Sequence, residues 1–139
     1  TLYFTSGDER EGVAVDAGTG ATRWRWRLAE GRRGGHAPRS GPGRGLAFWR
    51  DGREARVLVV TPGFHLAALD ARTGRPAAGF GTRGVVDLKP LLGVPLDTMT
   101  APIGASSPPL VAGDVAVIGP ALESGLRPRS RRNVPGRIL

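Results

Sequence analysis

The sequence predicts an all-β chain, and three observations predict it. The 139 residues include 22 Gly and 12 Pro, which leave no room for a long helix. The apolar residues fall in short runs between these breakers, as strands separated by turns do. One strand-turn-strand unit occurs twice, so the chain is built on an internal repeat.

The elements follow in chain order. Leu2-Tyr3-Phe4-Thr5 is a first short strand, and Asp8, Glu9 and Glu11 sit at the solvated tip that follows it. Val13-Ala14-Val15 is the second strand, leading into Asp16-Ala17-Gly18-Thr19-Gly20. An Asp here can accept backbone N–H groups two or three residues on, and the Thr hydroxyl can join the same turn. The closing Gly supplies the positive φ needed to enter the next strand. Trp24 follows four residues later, and its ring is expected to pack on a neighbouring unit. Residues 30–45, rich in Gly, Pro and Arg, read as a long loop. Arg44-Gly45-Leu46-Ala47-Phe48-Trp49 and Val57-Leu58-Val59-Val60-Thr61 are the next strands. Leu66-Ala67-Ala68-Leu69 then runs into the second copy of the turn, Asp70-Ala71-Arg72-Thr73-Gly74.

Asp16 and Asp70 stand 54 residues apart. A four-stranded propeller blade takes about 40–50 residues, so an insertion is expected between the copies. Residues 81–106 form a second excursion, with Val85-Val86-Asp87-Leu88 as a short strand. Pro109-Leu110-Val111, a turn at Ala112-Gly113-Asp114 and Val115-Ala116-Val117-Ile118-Gly119 begin a third unit. Residues 120–136 form a third loop, carrying Arg127, Arg129, Arg131 and Arg132. Arg137-Ile138-Leu139 is where the third motif strand is expected to begin. Its turn does not follow, so the chain is expected to be part of a longer one.

Composition excludes several chemistries. There is no Cys, so disulfide frameworks, thiolate zinc sites and thiol nucleophiles are ruled out. No run approaches the roughly 20 apolar residues of a membrane span. No signal peptide is visible, but the chain opens at Thr1 rather than Met, which makes that uninformative. The net charge is +8 and the pI about 11.6, carried almost wholly by Arg, with Lys89 the sole Lys. The Arg-rich stretch at 127–132 lacks interleaved aromatics for base stacking, so no nucleic-acid partner is expected. His36 and His65 lie in loop-like settings and are too few for a metal centre. Gly41-Pro42-Gly43-Arg44-Gly45 lacks the Lys-Ser/Thr and the helix of a phosphate loop. Asp97 reads as a turn cap. Asp16 and Asp70 read as turn builders rather than catalytic acids, because their spacing follows the repeat.

The order of the segments carries a family resemblance. Ala14-Val15-Asp16-Ala17-Gly18-Thr19-Gly20-Ala21-Thr22-Arg23-Trp24 fits the tryptophan-docking motif of quinoprotein propellers, Ala-x-Asp-x-x-Thr-Gly-x-x-x-Trp. The second copy keeps Ala68 to Gly74 but has Ala78 where the Trp should stand, with Phe80 two residues on. Arg44-Gly45-Leu46-Ala47-Phe48-Trp49 resembles the family's Arg-Gly-(Val/Leu)-Ala-Tyr-Trp strand. Thr61-Pro62-Gly63-Phe64-His65-Leu66, Gly84-Val85-Val86-Asp87-Leu88, Ser106-Ser107-Pro108-Pro109-Leu110-Val111 and Val134-Pro135-Gly136 resemble the segments that follow, in the same order. The chain thus resembles pyrroloquinoline-quinone (PQQ)-dependent dehydrogenases, closest to the glucose and alcohol dehydrogenase group.

That resemblance implies a partial quinoprotein-type β-propeller of about two four-stranded blades plus part of a third. Residues 1–29 would end a first blade, 44–90 form a second and 106–139 begin a third. It implies PQQ and calcium as cofactors. It also implies oxidation of a sugar or alcohol hydroxyl, with an acid taking the proton and the quinone the hydride, and ubiquinone or a cytochrome as acceptor. A periplasmic location, soluble or attached to the inner membrane, follows from the family alone, and the remaining blades would be partners. Arg44 matches an Arg that holds a cofactor carboxylate. Ser106 matches a Thr/Ser that donates to the cofactor, with Ser107 the alternative if the alignment slips by one. The catalytic acid, the calcium ligands and the ring beneath the cofactor are expected beyond Leu139. A non-catalytic scaffold of the same repeat family, acting in protein assembly, is the alternative.

Overall fold

Alternation along each strand decides which side chains meet. A computed structural model describes residues 1–122 and 137–139. β1 (Leu2–Ser6), β2 (Glu11–Val15) and β3 (Thr22–Trp26) form an antiparallel sheet in that order. β4 (Ala47–Asp51), β5 (Glu54–Val60), β6 (His65–Asp70) and β7 (Val85–Asp87) form a second, four-stranded meander. β9 (Leu110–Ala112) pairs with β10 (Val115–Val117), and β8 (Ile103–Gly104) pairs with β11 (Ala121–Leu122). Leu139 exchanges both backbone hydrogen bonds with Ile118, just past β10.

The second sheet is buried on both faces, which explains its unbroken apolar run at 57–60. Val57 and Leu69 are cross-strand partners, and with Val59 and Ala71 they pack against Ala14 and Trp24 of the first sheet. Leu58 pairs with Ala68 and Val60 with Leu66, placing all four on the opposite face. There they meet Phe64, Leu88, Leu92, Ile103, Ala105 and Ile118. Each such aliphatic side chain contributes roughly 1.5–3 kcal/mol on full burial. The three layers therefore stack face to face, with the second sheet in the middle.

Each Asp-x-x-Thr-Gly turn closes as its sequence demands. Asp16 Oδ1 accepts the N–H groups of Gly18 and Thr19 and the Thr19 hydroxyl. Asp70 Oδ1 likewise accepts the Thr73 N–H and hydroxyl. Gly20 and Gly74 take φ 75° and 70°. Trp24 then docks on the second turn, its Nε1–H donating to the Ala71 carbonyl at 3.0 Å. Its ring covers Gly74 so closely that a Cβ there would lie 2.6 Å away. Tyr3 donates to the same carbonyl at 2.9 Å.

Two loop readings are corrected. Residues 30–45 contain a short helix, α1 (Arg32–Gly35), without a side-chain cap. Its turn is held by burial of Arg33, whose guanidinium grips Asp87 through two hydrogen bonds (2.8 and 2.5 Å) and the Gly63 carbonyl at 2.8 Å. His65 is not in a loop but opens β6, with Nδ1 2.5 Å from the Glu30 carboxylate. Phe64, at φ 67°, makes the tight turn that puts it there. Glu30 also accepts the Thr61 hydroxyl and the Gly63 N–H. Burial pushes its pKa up, but hydrogen bonds from His65, Thr61 and Gly63 outweigh burial and leave it lowered. Asp97 caps its turn as expected, accepting from Met99 and Thr100. The Arg-rich segment at 127–132 and Val134-Pro135-Gly136 lie outside the described residues.

Candidate functional site

The two predicted cofactor-binding segments come together. The Arg44 N–H donates to the Ser106 carbonyl at 3.0 Å. Arg44 lies just before β4 and Ser106 just before β9, so neighbouring strands of the second and third units start from one junction. Arg44 and Ser107 are exposed and Ser106 is half-buried. Among the described residues, neither the Arg44 guanidinium nor the Ser106 and Ser107 hydroxyls is spent on another side chain. Three side chains with hydrogen-bond donors, one of them cationic, thus come from two segments joined at one backbone hydrogen bond. Such a set suits a carboxylate-bearing ligand, since charge-assisted bonds from Arg are short and strong.

The strands on either side are tied further along. Trp49 Nε1–H donates to Asp114 at 3.1 Å across the gap between β4 and the β9–β10 hairpin. The Arg56 guanidinium lies 5.2 Å from the Trp49 ring centroid. With Leu58, Phe80, Val111, Val115 and Ala116, these side chains line a cleft of about 300 Å³.

Two buried cations were missed by sequence reasoning, and one of them lies against the junction. Arg10, only 2% exposed, bonds four main-chain carbonyls. Nε reaches Gly41 at 3.3 Å, Nη2 reaches Arg39 at 2.9 Å, and Nη1 reaches both Val60 at 3.1 Å and Ala105. Burial lowers its pKa, partly opposed by the Glu30 charge. Lys89, fully buried, bonds the carbonyls of Thr98 at 3.0 Å and Ala101 at 2.8 Å. Burial first and the Arg33 charge second push its pKa below the ordinary lysine value. Its being the only Lys in an Arg-rich chain was a signal. Arg10 gave none: it sits between two acids at a hairpin tip, where a solvated side chain is the default.

The cofactor fit is therefore uneven. Arg44, Ser106 and Ser107 offer donors for the carboxylates and carbonyls of PQQ. Calcium needs six or more oxygen ligands, and among the described residues no three His, Asp or Glu side chains gather to hold a metal ion. The described residues alone do not supply the ligand set the ion needs.

The sequence profile of the PQQ glucose/ethanol/alcohol dehydrogenase β-propeller domain matches residues 1–138. A europium-containing methanol dehydrogenase superposes with a TM-score of 0.59 at 20% identity, over 86% of this chain and 18% of that one. A quinohemoprotein alcohol dehydrogenase from Pseudomonas putida HK5 superposes with a TM-score of 0.61 at 27% identity, over 85% of this chain and 15% of that one. The chain spans less than a fifth of the length of either enzyme. No curated protein matches the chain.

Proposed function

The chain belongs to the PQQ-dependent glucose/ethanol/alcohol dehydrogenase β-propeller family, and from that premise we propose that it contributes part of the cofactor seat of an enzyme oxidising an alcohol or sugar hydroxyl. The observation that carries the proposal is the Arg44–Ser106 hydrogen bond, which joins the two segments matched to cofactor contacts. Arg44 would pair with a PQQ carboxylate, and Ser106, or Ser107 beside it, would donate to a cofactor oxygen. When bound, the quinone supplies the hydride acceptor, while these residues orient it and hold its charge.

The finer reading rests on the relatives. An alcohol is favoured by the quinohemoprotein alcohol dehydrogenase, which is the more similar of the two enzymes in sequence. Calcium would be held by residues other than those described. Ubiquinone or a cytochrome would take the electrons, in the periplasm. In this reading residues 1–29, 44–90 and 106–139 belong to three consecutive blades.

The test is reconstitution of the intact protein with PQQ and calcium, followed by dye reduction with a panel of alcohols and sugars. Turnover with at least one substrate is expected, and Arg44→Met should lower it by weakening cofactor retention. No dye reduction with any of them would favour the non-catalytic scaffold.

A further inference from the structure

We propose that Arg10 is a positioning residue that fixes the distance between the two halves of the cofactor seat. This rests on the reading of Arg44 and Ser106 given above. Arg10 touches neither residue's side chain. It holds the main chain that leads into each of them: Arg39 and Gly41 lead into Arg44, and Ala105 immediately precedes Ser106. The remaining bond, to Val60, anchors the guanidinium on the end of β5, inside the second sheet. One planar cation therefore references both segments to the buried end of an interior strand of the second sheet.

Three features make this more than a buried ion satisfying itself. First, the bonds use four N–H directions, and guanidinium is the only side chain whose rigid fork can serve carbonyls so spread. A lysine at the same place would present a single point of charge. Second, the backbone bends to deliver it. Arg10 sits at φ 54°, a left-handed conformation that disfavours any residue with a Cβ. Third, the loop leaves room for it. A Cβ on Gly43 would lie 2.7 Å from Arg10 Nε, so the residue before Arg44 must be Gly for the guanidinium to pass. The Arg44–Ser106 bond closes directly over this clamp.

The consequence is a specific one. Without Arg10, four carbonyls lose their donor and the segments at 39–44 and 105–106 are no longer tied to one point. Arg44 and the serines would keep their chemistry but lose their fixed separation. A multidentate ligand pays for that in affinity.

The experiment compares Arg10→Met with Arg33→Met in the intact protein. Arg33 is likewise a buried arginine, but its bonds go to Asp87 and Gly63 rather than to the segments at 39–44 and 105–106. Two quantities are read: the dissociation constant for PQQ, from quenching of protein fluorescence, and the hydrogen-exchange rate of the Arg44 amide. Arg10→Met should weaken PQQ by roughly 10- to 100-fold, the range seen when support behind a binding group is removed, and should speed exchange at Arg44. Arg10→Lys should not rescue either. Arg33→Met should leave both as in the wild type, even if it lowers overall stability. Unchanged PQQ affinity in Arg10→Met, or an equal loss in Arg33→Met, overturns the proposal. A wild-type protein that binds no PQQ overturns the cofactor reading instead. Exchange then judges the clamp alone: faster exchange in Arg10→Met supports it, and unaltered protection of Arg44 refutes it.

Discussion

The same turn occurs twice in this chain, once bare and once covered. At Asp16 the carboxylate, the Thr hydroxyl and the closing Gly make the turn in the open, and nothing among the described residues lies within 4 Å of where a Gly20 Cβ would be. At Asp70 the same bonds form under the indole of Trp24, and Gly74 is buried. The local sequence builds the turn in both places. Docking is a separate property, set by a tryptophan from the preceding unit. The contrast extends to charge. The ion pairs of the first sheet, Arg23–Asp16, Arg25–Glu11 and Arg27–Glu9, are exposed. In the second, the Arg33–Asp87 pair and the His65–Glu30 hydrogen bond each have at least one side chain buried, while the Arg56–Glu54 pair on β5 lies at the surface.

The indole carries the largest difference between the two turns. Trp24→Ala should cost about 3–5 kcal/mol, as expected for a buried aromatic, measured by equilibrium denaturation. Next come the glycines. Gly20→Ala should cost only the left-handed backbone penalty of about 1–2 kcal/mol. Gly74→Ala should add a further 1–3 kcal/mol or so from overpacking against Trp24. Equal losses would mean that the indole does not constrain the second turn.

Glu30 sharpens the charge contrast through pH. Its folded pKa is lowered, so its contribution is fully present above the ordinary glutamate range and is lost as pH falls through the folded value. Glu30→Gln should cost about 1–3 kcal/mol near neutrality and flatten the acid limb of the stability profile. A variant as steep as wild type would show that this network does not govern acid sensitivity. Smallest is the hydroxyl inside each turn. Thr73→Val should cost about 1 kcal/mol, and Thr19→Val less, because its hydroxyl bond is longer and exposed.

What the sequence revealed tracks how local each feature is. Strands β5 and β6 and both turns were legible because a short apolar run between breakers, Asx bonding and a positive-φ Gly act within a few residues. The Arg44–Ser106 junction was legible only through resemblance, since no local rule brings residues so distant together. Arg10, Glu30 and Arg33 were hidden for the same physical reason. Each is charged, and charged residues default to the surface. Only their distant carbonyl and carboxylate partners make burial tolerable. The α1 turn was hidden behind two glycines that argue against any helix, and is held by the burial of Arg33 rather than by propensity.

The central claim is that Arg44 and Ser106 together form part of a PQQ seat. Titrating the intact protein with PQQ, wild type against Arg44→Met and Ser106→Ala, tests it most directly. Tight binding by the wild type is expected. It should be weakened by about 1.5–3 kcal/mol on loss of the charged donor at Arg44, and by about 0.5–1.5 kcal/mol on loss of the neutral one at Ser106. Wild-type affinity in both variants would contradict the account.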